Sequence, residues 1–255
     1  MRIDVISDTV CPWCFIGKRR LEEALEMFAG HPAAQPVEVR WHPFQLNPAM
    51  PREGTDRAGY LAAKFGGPER AAQIYGRIRA AGAEAGIDID PERAAVMPNT
   101  LDSHRLIHRM QLRDLAAADG GNRGDRVVEA LFTAFFEQGR NIGDAAVLTG
   151  IGLAVDPEDT DLGAWLASDD DRDMMAEADA QARRIGVDGV PCFIIDGRWA
   201  VMGAQAPEQM MMALVRAATN PAGGGVADDG EGGMSDDDAD GDGCSPDDGC
   251  AVPPR

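Results

Sequence analysis

Residues 1–25, MRIDVISDTVCPWCFIGKRRLEEAL, place two cysteines three positions apart at the junction of a strand pattern and a helix pattern. Arg2 and Asp4 alternate with Ile3 and Val5, which predicts a strand over residues 2–6. Phe15, Leu21, Ala24, Leu25 and Phe28 follow approximate helical spacing until Gly30, His31 and Pro32 stop the helix. A strand ending just before Cys11 delivers that sulfur to a helix N-terminus, where unpaired backbone N–H groups and the positive end of the helix dipole stabilise a thiolate. Pro12 suits the first helical position because an N–H there would have no partner. Cys14, one turn further on, can attack a mixed disulfide formed on Cys11. The spacing therefore predicts Cys11 as an exposed nucleophile, Cys14 as a shielded resolving thiol and Trp13 as an apolar lip beside them.

A bare CxxC is also half of a zinc site, or an inert buried pair. A structural zinc would need a second close pair of ligands. The candidates are Cys244 and Cys250, in an acidic tail, or His104 and His108, one helical turn apart with no third ligand in view. Neither completes a site, so no metal is expected and redox chemistry is the favoured reading.

Composition bounds the rest. A chain of 255 residues, 44% hydrophobic and 26% charged, can bury a full core, and five cysteines are too few for a disulfide scaffold. The absence of a long apolar run and of a signal-peptide pattern predicts no membrane association and a cytoplasmic location. Of the net charge of −19, residues 221–255 carry −9, from ten acidic side chains against Arg255. This stretch is glycine-rich and has no aromatic residue, which predicts a disordered tail. The acidity excludes nucleic acid as a partner, because its phosphates would be repelled.

Along the body, Val37, Val39 and Trp41 alternate as a second strand. Residues 56–185 read as a helical block. Pro68 opens one helix that Gly86 ends, Thr100 caps another, Asp125 and Asp144 start two more, and Gly186 stops the last. Two apolar runs then flank Asp196-Gly197, a hairpin signal, and Pro207 opens a final helix. Just before that hairpin, Pro191 lies between a glycine-rich turn and a strand, where a cis bond could free main-chain groups of Val190 to receive an extended substrate. On its own, such a proline is more often trans at a strand start.

The blocks SDTVCPWCFIGKRRLEEAL, WHPFQLNPAMPREG, MPNTLDSHRL, LFTAFFEQGRNI and GVDGVPCFIIDGRWAVMGAQ, in this order, resemble the FrnE-type branch of the DsbA-like thioredoxin-fold oxidoreductases. The resemblance covers residues 2–217. It implies an α/β thioredoxin-like domain, residues 1–55 and 186–220, interrupted by a large inserted helical domain, residues 56–185. It also implies a cis proline at Pro191 beside the catalytic Cys11 and Cys14. Pro12, Trp13, Val190, Asn99, Thr100, His104 and the Gly203-Ala204-Gln205 turn would line the substrate cleft.

The implied activity is thiol–disulfide exchange on protein or small-molecule thiols and disulfides, without a bound cofactor and with glutathione as a candidate co-substrate. Related 2-hydroxychromene-2-carboxylate isomerases and kappa-class glutathione transferases offer a second reading, a glutathione-dependent isomerase or transferase. Those proteins typically carry serine where Cys11 stands here. A third reading is a holdase or binding module without turnover, which leaves the cysteine spacing unexplained.

Other residues carry weaker signals. Cys192 reads as a small core residue. His42 reads as structural, with a role in tuning the thiolate as the alternative. Asp236, Asp238, Asp240 and Gly241 imitate the start of a calcium loop but lack its closing glutamate and flanking helices. Cys244 and Cys250 could form an accessory redox pair on a flexible tether.

Overall fold

The computed structural model describes residues 1–90, 92–220 and 222, with the backbone of 225–226. Apart from residues 222 and 225–226, the predicted disordered tail lies outside these described residues, as do its calcium-like stretch and the Cys244–Cys250 pair.

The chain begins β1 (Arg2–Ser7), α1 (Pro12–Ala29) and β2 (Glu38–Pro43), as the periodicities predict. It returns to this sheet only at β5 (Cys192–Ile195) and β6 (Trp199–Met202), after which α9 (Pro207–Thr219) packs beside α1. With a two-residue parallel addition at Gly225–Val226, the strand order is β2, β1, β5, β6 and this last strand. β1 runs parallel to β2 and antiparallel to β5, with Ile6 opposite both His42 and Cys192. That register decides the function-bearing geometry: the end of β1 leads into Cys11 on one side, and the loop entering β5 arrives beside it. In the hairpin, Asp196 and Gly197 both adopt positive φ, 50° and 66°, but Arg198 joins them in a three-residue link.

Between β2 and β5 lie α2 (Arg57–Phe65), α3 (Pro68–Glu84), α4 (Leu101–Ala117), α5 (Arg123–Phe132), α6 (Ala145–Val155), α7 (Leu162–Ala167) and α8 (Arg172–Arg184). A π-helical turn over Thr133–Glu137 extends α5. The structure revises several expected boundaries. Asp125 sits within the first turn of α5, which starts two residues earlier. Thr100 precedes α4 without making a side-chain cap; the Asn99 carboxamide oxygen instead accepts from Leu101 N–H at 2.9 Å. A short antiparallel ladder, β3 (Thr55–Asp56) with β4 (Val96–Met97), appears inside the helical block.

The helices join the sheet through one continuous apolar core. Phe15 of α1 stacks on Phe132 of α5 with centroids 5.0 Å apart. Lys18, 2% exposed, adds a charged clamp to Asp125 and Glu129 at 3.2 Å each and to Glu22. Three carboxylates around one buried ammonium offset its desolvation and hold its proton more tightly than usual. Arg105, fully buried on α4, donates to the carbonyls of Asp170, Trp165 and Ser168, tying α4 to the α7–α8 connection.

Candidate active site

Cys11 occupies the N-cap position of α1 with extended backbone angles, φ −88° and ψ 116°. Its N–H donates to the Asp8 carbonyl at 3.0 Å, and its own carbonyl accepts from Cys14 N–H at 3.1 Å. This tight turn lets the strand enter a helix whose first residue, Pro12, lacks the N–H that no carbonyl could receive. The Cys11 thiol lies 3.7 Å from the Val190 carbonyl. The Val190–Pro191 bond is cis, and the Pro191 carbonyl accepts from Gly203 N–H at 2.8 Å, so the Gly203–Gln205 turn braces the loop. Gly17 makes that approach possible, since a Cβ there would stand 2.9 Å from Pro191 Cγ.

Both active-site cysteines are free thiols and each is 1% exposed. An exposed Cys11 is therefore the expectation the structure overturns. Near that corner the chain forms α2, a helix absent from the sequence reading. Its Tyr60 and Lys64, with Asp8, Val10, Pro12 and Thr100, line a cavity of about 30 Å³ over the corner that carries Cys11. Trp13 is likewise buried, at 5% exposure, rather than forming a lip.

Burial sets the electrostatics. The Cys14 thiol is pushed well above its ordinary value, first by desolvation and then by the neighbouring Cys11 sulfur. The Ser7 hydroxyl and the Asp8 backbone N–H oppose this by hydrogen-bonding the Cys14 sulfur. Cys14 is thus held as a protonated thiol. Tyr60 is pushed up to about 12 by burial and by the charge of Asp8. Lys64 is lowered by burial, while negative charge at Cys11 and Asp8 pulls it the other way.

Val190, Pro191, Pro12, Thr100 and His104 are brought to this corner or directly behind it. Asn99 ties its segment to a distant one by donating to Met50 O at 2.6 Å, Gln205 serves its own turn by donating to Met202 O at 2.9 Å, and neither lines the small cavity. His42 pairs with Asp4 on the surface at 2.8 Å. Sequence reasoning missed Asp8, Tyr60 and Lys64. Asp56 and Gly66, an N-cap that accepts from Gly59 N–H and a left-handed C-cap, were the available signals for the helix carrying the last two.

The sequence model of the DsbA-like thioredoxin domain matches residues 2–215. The chain belongs to this family. The DsbA-like fold also emerges from a Streptomyces coelicolor structure described as a probable DsbA oxidoreductase, with 28% identity, a TM-score of 0.74 and coverage of 100% of both chains. The uncharacterised Bacillus subtilis protein YwbO is 27% identical over 215 residues, 84% of this chain and 96% of its own. A 2-hydroxychromene-2-carboxylate isomerase shares the fold at 13% identity and a TM-score of 0.56, over 87% of this chain and 100% of that one.

Within this DsbA-like body Cys192 packs in β5, opposite Ile6, and burial raises its thiol to about 11. It remains a neutral thiol at neutral pH and has the inert character expected of a core cysteine. Among the described residues, no group of three or more His, Cys, Asp and Glu side chains could hold a metal ion, and no helix is long and apolar enough to cross a membrane.

Proposed function

We propose that the protein is a thiol–disulfide oxidoreductase that works through the Cys11–Cys14 dithiol on protein or small-molecule disulfides. The observation that carries this reading is the asymmetry of the pair. Cys11 sits at a helix N-terminus against the Val190 carbonyl, while Cys14, one turn deeper, is held protonated by burial.

In the reducing direction the Cys11 thiolate attacks a substrate disulfide, forming a Cys11–substrate disulfide and expelling one substrate thiolate with the broken bond's electron pair. Cys14 then loses its proton and attacks the Cys11 sulfur, expelling the second thiolate. The dithiol is oxidised by two electrons and the substrate disulfide is reduced to two thiols. Running backwards, the same steps oxidise a substrate dithiol. On this reading an extended substrate would be received beside Val190, next to the reacting sulfur.

Reduction of an insulin disulfide and equilibration with a glutathione buffer test the proposal. Exchange should vanish in Cys11→Ser, and Cys14→Ser should accumulate a substrate–Cys11 disulfide. Exchange surviving in Cys11→Ser would refute it. A glutathione-dependent isomerase or transferase would instead turn over in Cys14→Ser without trapping a disulfide.

A further inference from the structure

β2 lies at one edge of the sheet, so alternate residues direct their main-chain groups away from β1. Glu38 N–H donates to Met1 O at 3.0 Å and Phe44 N–H to Ser7 O at 3.0 Å; the even-numbered residues of β2 therefore bond to β1, and Val39 and Trp41 face outward. Trp41 is closed by a side chain that imitates a strand. The Gln111 carboxamide oxygen accepts from Trp41 N–H at 2.8 Å, and its nitrogen donates to Trp41 O at 3.0 Å. Among the described residues nothing does the same for Val39, whose N–H and carbonyl make no hydrogen bond.

The cause lies in the run of α4 beside this edge. His104 stands by Asp8, just beyond the pairing of Ser7 with Pro43, and Gln111 stands at Trp41, so α4 descends against the direction of β2. Four helical residues rise about 6 Å and two strand residues about 6.6 Å. The α4 residue level with Val39 is therefore Leu115, whose side chain offers no hydrogen bond. Leu115 is 62% exposed. With Val37, Val39 and Leu25 it lines a cleft of about 1040 Å³. Glu22, Glu26, Glu38, Asp114 and Asp125 line the same cleft against Lys18 and Arg40, and Lys18 is already shared among three carboxylates.

We propose that the outer edge of β2 at Val39 is a docking strand for an extended segment of a protein substrate, with apolar residues at alternate positions and lysine or arginine beside them. The incoming chain takes both main-chain groups of Val39, sets apolar side chains against Leu25 and Leu115, and meets the carboxylates of the cleft with its basic residues. Naming the occupant a substrate rests on the exchange reading above. A net charge of −19 disfavours a second copy of this chain at the same edge. Val39 stands four strand residues, roughly 13 Å, from the level of Pro43, so the edge acts on affinity and not on the bond exchanged.

The probe is a cysteine-free fluorescent peptide of alternating valine and threonine flanked by lysines, titrated into the full reduced chain. Leu115→Gln should close Val39 as Gln111 closes Trp41 and weaken binding about tenfold, through the loss of two main-chain hydrogen bonds. Exchanging the peptide's lysines for glutamates should weaken it further. Leu115 is a surface residue, so its replacement leaves the fold intact. Glu26→Lys, on α1, is a second variant and should weaken binding of the lysine peptide about threefold, the scale of one exposed charge pair. An aryl disulfide is then joined to the same peptide by an eight-residue Gly-Ser linker, which spans roughly 15 Å. In Leu115→Gln its KM should rise by the same factor as the binding constant with kcat unchanged, while a free aryl disulfide reacts alike with both chains. No saturable binding, or equal affinity in Leu115→Gln, overturns the proposal. So does a dimer of the chain that Leu115→Gln dissolves, because it would give the edge to a second copy. If the unmodified chain releases no aryl thiolate from either disulfide, the exchange reading fails and takes the naming of the occupant with it, a result distinct from normal release that is indifferent to Leu115.

Discussion

Cys11 and Val190 are 179 residues apart in sequence, yet the Cys11 thiol rests 3.7 Å from the Val190 carbonyl. The antiparallel pairing of β1 with β5 makes this meeting, since it sets Ile6 opposite Cys192 and so brings the turn that follows β1 and the loop that precedes β5 to one end of the sheet. In the proposed exchange, a substrate chain entering beside Val190 would be aligned with the Cys11 sulfur before any bond changes.

Gly17 controls how closely the two segments approach. A methyl group at this position would stand 2.9 Å from Pro191 Cγ and 3.2 Å from Phe193 Cζ. Gly17→Ala should destabilise the fold by about 1–3 kcal/mol through overpacking and push the Val190 loop away from Cys11. Melting temperature and insulin-reduction rate should both fall; a variant that matches the unmodified chain in both would show that the contact has slack.

Lys64 supplies a positive charge that the CPWC motif lacks. It lines the cavity above Pro12 and interacts electrostatically with Cys11 and Asp8. Lys64→Met should slow alkylation of Cys11 at mildly acidic pH about tenfold, the effect of removing one close opposite charge, and Lys64→Arg should restore most of it. Partial burial predicts little sensitivity to salt. Equal alkylation rates for the Met and Arg variants would assign Lys64 a packing role.

Much of this site was legible because local chemistry dictated it. Pro12 and the cysteine spacing announced a helix start, Asp196-Gly197 announced the hairpin, and Asp144 does cap α6, accepting from Ala146 and Val147 N–H. What escaped was tertiary. The helix α2 is nine residues long and buries only Arg57 and Leu61, so few core positions announce it although its caps are clear. The burial of Cys11 depends on segments distant in sequence, Val190 among them, and could not be anticipated. Asp8 reads in sequence as an ordinary loop aspartate; its buried neighbours, Leu46 N–H at 2.7 Å and His104 of α4 at 3.5 Å, come from distant segments.

Alkaline pH should weaken the fold through Cys192. Its folded-state thiol is raised from the ordinary 9.0 to about 11 by burial, so this contribution is fully present below pH 9.0 and is lost as pH rises through about 11. The expected slope is about 1.4 kcal/mol per pH unit inside that window. Cys14 acts with the same sign. Urea unfolding of reduced protein should show stability falling across this range, and less steeply in Cys192→Ala. An identical slope in that variant would place the alkaline loss elsewhere.

The cover over Cys11 should also be adjustable from its hinge. Gly66 and Gly67 join α2 to α3 with φ of 78° and 129°, and Gly67 N–H donates to Ala62 O at 2.7 Å. A side chain at Gly67 would meet no atom within 4 Å, so Gly67→Ala adds backbone strain without a clash. Such strain amounts to about 1–3 kcal/mol, and swinging α2 outward relieves it. Because few residues of α2 are buried, opening is the inexpensive response. Hydrogen exchange over residues 57–65 should quicken in Gly67→Ala, and Cys11 should react about fivefold faster or more with a small neutral alkylating reagent. Faster exchange in α2 with unchanged Cys11 reactivity would mean that the Val190 loop, and not α2, shields the nucleophile.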